Sequence, residues 1–425
     1  MYDRNNNRIG ATYFIETAYP LAQAAATMAG EQSTGTFLRV PGETDELRER
    51  FAATVDSITE CEPAAEPTLP GSGTPKNWDG VRRTAIVKLS WPLENIGPSL
   101  PNLLATVAGN LSELKAFSGL KLIDLELPPA FLDAYQGPQF GVSGTRAATG
   151  VFDRPLIGTI LKPSIGMDPA TTAAQVKVLA EAGIDFIKDD ELQTDAPHCR
   201  FADRITAVLN VLNKHRDRTG KLVMYAANLT GDLDQMLRRH DQLVAAGATC
   251  LMVSMNSIGL PAMKSLRAHS QLVIHGHRNG WGMLGRSPAT GMSFIAFQKF
   301  WRVAGIDHTH VNGLRNKFCE PDESVIASAR ACLAPMFPPP FAGCEIMPVF
   351  SSGQSAHQAA DTFAALGSTD LIYACGGGVL GHPLGVAAGV RSLQQAWEAA
   401  ALNIPAATYA LKHPELKAAL EAFPA

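Results

Sequence analysis

The sequence contains no CxxC pair, no cluster of Lys and Arg, and no apolar stretch long enough to span a bilayer. Its seven cysteines (Cys61, Cys199, Cys250, Cys319, Cys332, Cys344 and Cys375) are odd in number and scattered. That argues against a cysteine-held zinc module or a disulfide-stapled fold, and reduced, mostly buried thiols are expected. A formal net charge of -4 without a basic stripe leaves nothing to neutralise a nucleic-acid backbone. The start, MYDRNNNRIG, is polar rather than an apolar signal core, so a cytoplasmic protein with no membrane partner is expected. What is present is core material: 46% of the 425 residues are hydrophobic and 18% charged, enough for two domains and too apolar for disorder.

From about Pro155 onward, short β-branched or apolar runs alternate with amphipathic stretches. The strand-like runs are PLIGTILK (155–162), IDFIK (184–188), KLVMYA (221–226), TCLMVS (249–254), QLVIHG (271–276), IDHTHV (306–311), EIMPVF (345–350) and DLIYAC (370–375). Helical patterns between them include TTAAQVKVLAEAG, DLDQMLRRHDQLVAAGA, DESVIASARACLA and HQAADTFAALG, several closing on glycine. Eight βα units in this length predict a closed (β/α)₈ TIM barrel over 141–425 rather than a doubly wound open sheet. Residues 1–140 mix the helical ETDELRERFAATV, the strand-like RRTAIVKLSWPL and the loop PAAEPTLPGSGTPKNWDG. They predict a smaller α+β domain, with PPAF near Pro128 as the linker.

Barrel active sites form just past the C-terminal ends of the strands. Those positions hold Lys162, then Lys188-Asp189-Asp190-Glu191, Asn228, His275, His277 and Arg278, then His308, His310 and Lys317. Ser351-Ser352-Gly353 and Gly376-Gly377-Gly378 follow, small residues whose backbone N–H groups are open to an anion. Each residue alone has a plain structural explanation, such as a turn glycine or a core histidine. Their convergence on one face is harder to explain that way.

The KDDE run carries the sharpest chemistry. Alternate strand side chains share a face, so Lys188 and Asp190 converge, and Glu191 beyond the strand can join them. Two carboxylates suit Mg²⁺ provided Lys188 becomes an oxygen donor by carbamylation with CO₂, since an ammonium would repel the ion. A solvated charged turn is the alternative reading of the run.

The segments GTILKPSIGM, AGIDFIKDDE, HGHRNG, DHTHVNG and GGGVLGHPLG resemble the barrel motifs of the RuBisCO large-subunit superfamily, and within it the RuBisCO-like (form IV) proteins. EQSTGTF (31–37) is similar to the family's N-terminal substrate loop and AGNL (108–111) to its asparagine-bearing segment, so the resemblance covers both domains. It implies a carbamylated Lys188, Asp190 and Glu191 as Mg²⁺ ligands, Lys162 as acid/base, and His277 and the mobile-loop lysine Lys317 as catalytic. It places Arg278, His310 and Ser351 around one phosphate position, and Gly353, Gly376 and Gly377 with Thr36 around the other. Glu31, Thr36 and Asn110 are implied to come from a neighbouring subunit, hence a homodimer or an assembly of dimers.

The sequence departs from the family's carboxylases in several places. Ser164 stands where they carry a second lysine, Phe37 replaces a tryptophan, Ile160 a threonine and Trp281 a histidine, and the loop VNGLRNKFCEP differs from their glycine-rich one. The resemblance therefore implies enediolate formation from a phosphorylated 3-oxo sugar acid of the 3-oxo-isoapionate 4-phosphate type, by transcarboxylation with hydrolysis or by decarboxylation. Three alternatives stay open: the 2,3-diketo-5-methylthiopentyl-1-phosphate enolase of methionine salvage, true ribulose bisphosphate carboxylation, and a non-catalytic sugar-phosphate sensor.

Overall fold

In the computed structural model the described residues are 7–35 and 40–424. Their strands, in chain order, are β1 (Arg8–Thr17), β2 (Thr54–Ala64), β3 (Arg82–Pro92), β4 (Phe117–Glu126), β5 (Leu156–Ile160), β6 (Phe186–Lys188), β7 (Met224–Asn228), β8 (Cys250–Ser254), β9 (Val273–His277), β10 (Thr290–Met292), β11 (His308–Asn312), β12 (Met347–Phe350) and β13 (Ile372–Ala374). They form a five-stranded sheet of order β10-β4-β1-β3-β2 and a closed barrel of order β11-β12-β13-β5-β6-β7-β8-β9. No helix among the described residues is long and apolar enough to cross a membrane.

The chain divides into two compact units. One runs to Gln136 and also takes in Gly280–Val303 and Pro335–Gly343; the other comprises Gly137–Asn279, Ala304–Ala334 and Cys344–Ala425. The second unit begins at Gly137, and two later segments, one of them carrying strand β10, belong to the first unit.

In the first unit, β1 pairs antiparallel with β3 and β4, and β10 adds to β4 in parallel. The period of two puts Ile9, Ala11, Tyr13 and Ile15 of β1 and Ala85, Val87, Leu89 and Trp91 of β3 into the core. The Tyr13 hydroxyl, buried there, donates to the Val107 carbonyl at 2.6 Å, so its polar tip is satisfied.

In the barrel unit all eight expected strands form, parallel and in register around the ring. Their boundaries shift most at β7, which begins at Met224; Lys221, before it, places its ammonium 2.9 Å from Asp185. The interior is filled by Leu156, Phe186, Met224, Ala226, Cys250, Met252, Val273, Met347, Val349, Ile372 and Ala374, alternate residues of the strands. The helix Pro169–Glu181 starts with Pro169 at its first position and the Asp168 carboxylate accepting from Thr171 N at 2.7 Å. Left-handed Gly183 follows its end. All seven cysteines are free thiols, five of them buried.

Charge at the N-terminal ends of the barrel strands is paired inside the protein. Asp185 accepts from Arg154 (2.5 Å), Lys221 (2.9 Å) and Ile157 N (2.9 Å). Asp307 accepts from Arg267 (3.1 Å) and from the backbone of Ile274, Phe140 and Gly141. His308 lies inside the barrel at this level, 2.7 Å from Thr145 Oγ1, and burial pushes its imidazole down to about 3. It is a core histidine, not a site residue.

Candidate active site

Strand parity decides which polar residues meet at the other end. Phe186, packed against the His275 ring at 5.3 Å, points inward, so Lys188 does too and Asp189 points out. Asp189 is held in the outer layer by Arg204 (3.2 Å), by Asn228 N (2.9 Å) and by the Tyr225 hydroxyl. It is a structural carboxylate.

Asp190, after the strand, returns to the inner side. Its Oδ2 takes the Lys162 ammonium at 2.5 Å, and Lys162 also donates to the Ser164 hydroxyl at 2.8 Å. Lys188 is fully buried; its amine donates to the Asp189 carbonyl (2.8 Å) and lies 3.5 Å from Glu191 Oε2. Burial pushes the Lys188 amine below its ordinary range, although the carboxylates of Glu191, Asp190 and Asp189 pull it back up. Glu191 Oε2 is also 3.4 Å from His277 Nε2. Burial opposes the charge on Glu191, but His277, Lys188 and Lys162 outweigh it and hold the carboxyl at about 2. Asn228 braces the run, its Nδ2 reaching the carbonyls of Asp190 (3.3 Å) and Glu191 (3.1 Å).

The histidines form the next layer. His277 Nδ1 lies 3.1 Å from the acceptor Asn279 Oδ1, and its ring stacks edge-on against His310, with centroids 4.6 Å apart. Burial and then Lys188 lower His277 to about 4, so it is a neutral imidazole near pH 7. His310 bridges Ser351 Oγ (2.8 Å, through Nδ1) and His275 Nε2 (2.9 Å, through Nε2). One of the two facing Nε2 atoms must carry the proton, and His275, His310 and Ser351 form a continuous hydrogen-bonded chain.

That chain continues outward. Ser352 donates to Asn312 Oδ1 (2.9 Å), Asn312 Nδ2 donates to Glu320 Oε2 (2.7 Å), and the same carboxylate oxygen takes Arg278 at 2.5 Å. Across the mouth, a Cβ at Gly376 or Gly377 would meet no protein atom within 4 Å, and at Gly353, which has φ +96°, nothing nearer than 3.8 Å. Packing does not require glycine at 376 or 377; the space over them is open. Gly378 differs, because a Cβ there would press on the Gln354 carbonyl at 3.1 Å.

Two carboxylates and a buried amine on adjoining positions, with Lys162 beside them, can hold a hard divalent ion once the amine becomes a carbamate. The donor set fits Mg²⁺: burial lowers the proton affinity of the Lys188 amine, and the unprotonated amine is the form that adds CO₂. Elsewhere, His240, Asp241 and His269 form a cluster of possible ligands, but the Asp241 carboxylate already pairs with both imidazoles (3.0 and 2.6 Å).

Comparison with known proteins agrees with this geometry. Residues 141–423 match the family described as ribulose bisphosphate carboxylase large chain, catalytic domain, and residues 1–131 match its N-terminal domain. The chain belongs to the RuBisCO large-chain family. It is 52% identical, over 98% of its length and 99% of the relative's, to a 3-oxo-isoapionate-4-phosphate transcarboxylase/hydrolase of Xanthobacter autotrophicus. It is 45% identical, over 98% of both chains, to a 3-oxo-isoapionate-4-phosphate decarboxylase of Rhizobium rhizogenes. A crystal structure of a rubisco-like protein from Burkholderia fungorum superposes with a TM-score of 0.91 at 45% identity, covering 98% of this chain and all of that one.

Within this RuBisCO-family barrel, the structure gathers Lys162, Lys188, Asp190, Glu191 and His277, and it links Arg278, His310 and Ser351 in one hydrogen-bonded network. Lys317 is exposed, its ammonium 5.3 Å from the centre of the Phe318 ring and its backbone N–H on the Ser352 carbonyl (3.1 Å). Glu31 and Asn110 lie exposed in the first unit, and Thr36 and Phe37 lie outside the described residues. Sequence reasoning missed Glu320 and Asn312. Their only sequence signal is chemical: a buried Arg278 needs a counter-ion, and the loop after β11 holds one within reach.

Proposed function

We propose that this chain is a Mg²⁺-dependent, carbon–carbon bond-cleaving enzyme acting on 3-oxo-isoapionate 4-phosphate or a close analogue, by transcarboxylation and hydrolysis. The observation that carries the reading is the convergence of Lys162, Lys188, Asp190, Glu191 and His277 on one barrel end. The 52% identical relative named for this activity supports the choice of substrate.

In this reading Lys188 Nζ adds CO₂, losing a proton as the N–C bond forms, and its carbamate joins Asp190 and Glu191 as ligands. The bound ion supplies positive charge beside the oxygen on which the enediolate's charge develops. Gly353, Gly376 and Gly377 seat the substrate phosphate through backbone N–H groups. When the bond to the substrate carboxylate breaks, its electron pair passes to the neighbouring ketone oxygen. The far carbon of the enediolate C=C bond then attacks the released CO₂, forming a new carboxylate and restoring a ketone. Water adds to that ketone, the C–C bond beside it breaks, and Lys162, its ammonium held by Asp190 and Ser164, gives its proton to the carbon left with the electron pair. Glu31, Thr36 and Asn110 of a second copy complete the site, so the working unit is a homodimer.

Decarboxylation alone is the second reading. It is supported by the Lys317 ammonium lying over the Phe318 ring while its main chain borders Gly353; a lysine that keeps its ammonium there does not hold CO₂ for recapture.

¹³C and ³¹P NMR of the purified protein with Mg²⁺, bicarbonate and 3-oxo-isoapionate 4-phosphate tests both readings. Phosphoglycerate and glycolate are expected; a phosphorylated tetrulose and CO₂ select the second reading. No turnover overturns both and returns the methionine-salvage enolase and sensor alternatives. Steady labelling of phosphoglycerate from ribulose bisphosphate and ¹³CO₂ would instead establish a true carboxylase.

A further inference from the structure

Arg278 is a buried cation at the mouth of the barrel, next to His310 and Ser351, and its counter-ion comes from the chain itself. The Glu320 carboxylate, 6% exposed, sits 2.5 Å from the guanidinium and accepts from Asn312 at 2.7 Å and, through its other oxygen, from Ser324 at 2.9 Å. The loop that carries it is cross-linked along its length. Asn316 Nδ2 donates to the Gly313 and Glu320 carbonyls (2.9 and 3.0 Å), Lys317 N to the Ser352 carbonyl, and Arg315 pairs with Asp361 at 2.7 Å. These contacts hold the Glu320 carboxylate against the Arg278 guanidinium.

We propose that Glu320 closes the Arg278 end of the site to phosphate, so that the chain accepts substrates with one phosphate, seated on Gly353, Gly376 and Gly377, and rejects bisphosphates. The two ends then differ in kind. At the glycine end, a Cβ at Gly376 or Gly377 would meet open space, and the nearest atoms to one at Gly353 belong to Lys317. At the Arg278 end, the one guanidinium is already matched by a carboxylate, and a phosphate dianion placed there meets like charge in a poorly hydrated pocket. Glu320 is a specificity residue in this account, setting the number of phosphates rather than taking part in bond cleavage. The proposal rests on the reading of the glycine end as the phosphate seat.

The test compares ribulose 5-phosphate with ribulose 1,5-bisphosphate, ligands that differ by one phosphate, by calorimetry on the full-length protein with Mg²⁺ and bicarbonate. On the wild type, the bisphosphate is expected to bind no more tightly than the monophosphate. In Glu320→Gln, which keeps the shape and removes the charge, the bisphosphate should gain at least about tenfold over the monophosphate, the scale of one charged hydrogen bond. A wild type that prefers the bisphosphate, or a variant in which the bisphosphate gains no more than the monophosphate, overturns the proposal. If Glu320→Gln does not fold, the wild-type comparison alone decides. Binding of these ligands needs no turnover, so the outcome is separate from whether the enzyme cleaves 3-oxo-isoapionate 4-phosphate.

Discussion

The two ends of the barrel hold the same kinds of residue in opposite conditions. Asp185 and Asp307, before β6 and β11, are buried carboxylates saturated by arginine, lysine and backbone amides. Asp190 and Glu191, after β6, share a half-exposed Lys162, a buried Lys188 amine and a neutral His277. At the N-terminal end these two carboxylates are matched by cations of the chain itself, and that end stabilises the fold. At the C-terminal end acids, amines and imidazoles crowd together: Lys188 lies between the Asp189 carbonyl and Glu191, and Glu191 between Lys188 and His277. That end is arranged for partners from outside.

Substitution should separate the two ends. Lys188→Ala is expected to lower kcat by at least about a thousandfold, the scale of losing a site's main electrostatic group, while thermal unfolding stays near that of the wild type. Asp307→Ala is expected to do the reverse, leaving Arg267 buried without its carboxylate counter-ion and costing about 3–5 kcal/mol in urea unfolding, with kcat of the folded protein retained. If Lys188→Ala unfolds the protein, or Asp307→Ala abolishes catalysis in a folded protein, the division between the ends breaks.

The comparison sharpens to neighbouring residues at Asp189 and Asp190. Asp190→Asn should weaken Mg²⁺ binding at least about tenfold, whereas Asp189→Asn should leave it unchanged and cost about 1–3 kcal/mol through the Arg204 and Tyr225 contacts. Isothermal titration with Mg²⁺, paired with denaturant unfolding, reads both.

The smallest effect concerns acid. Burial opposes the charge of Asp185, but Arg154 and Lys221 hold its carboxyl below the ordinary 3.8. Its contribution to stability is therefore fully present above that value and is lost as pH falls through the folded value. The stability gap between wild type and Asp185→Asn should be constant above about pH 4 and shrink below it. Glu191, ordinarily at 4.5 and held at about 2, should show its loss between those values in the apo protein, by the same sign. Acid titrations of Asp185→Asn and Glu191→Gln against wild type measure the two windows.

The parts of this arrangement that follow local periodicity were legible in the sequence. The eight strand runs were readable because parallel barrel strands are short, apolar and bounded by polar or glycine residues. The inward turn of Lys188 and Asp190 followed from strand parity. The strand β2 was not read, because its side chains are largely exposed and give no apolar alternation, and three-residue β10 is too short to show a period. Glu320 was missed for another reason. It lies in an irregular loop eight residues beyond β11, and its role exists only through Arg278 and Asn312, which no spacing rule brings to it. The function drew on motif resemblance as well as physics; the physics alone reached a metal-binding cluster and an anion seat.

The most direct test of the central claim is ¹³C NMR of the purified protein equilibrated with ¹³C-bicarbonate and Mg²⁺ and then stripped of free label. The account predicts one retained carbamate carbon per chain in the wild type and none in Lys188→Ala. A wild type that retains no carbamate, or a Lys188→Ala variant that retains it, would contradict the assignment of this barrel end as the metal-dependent site.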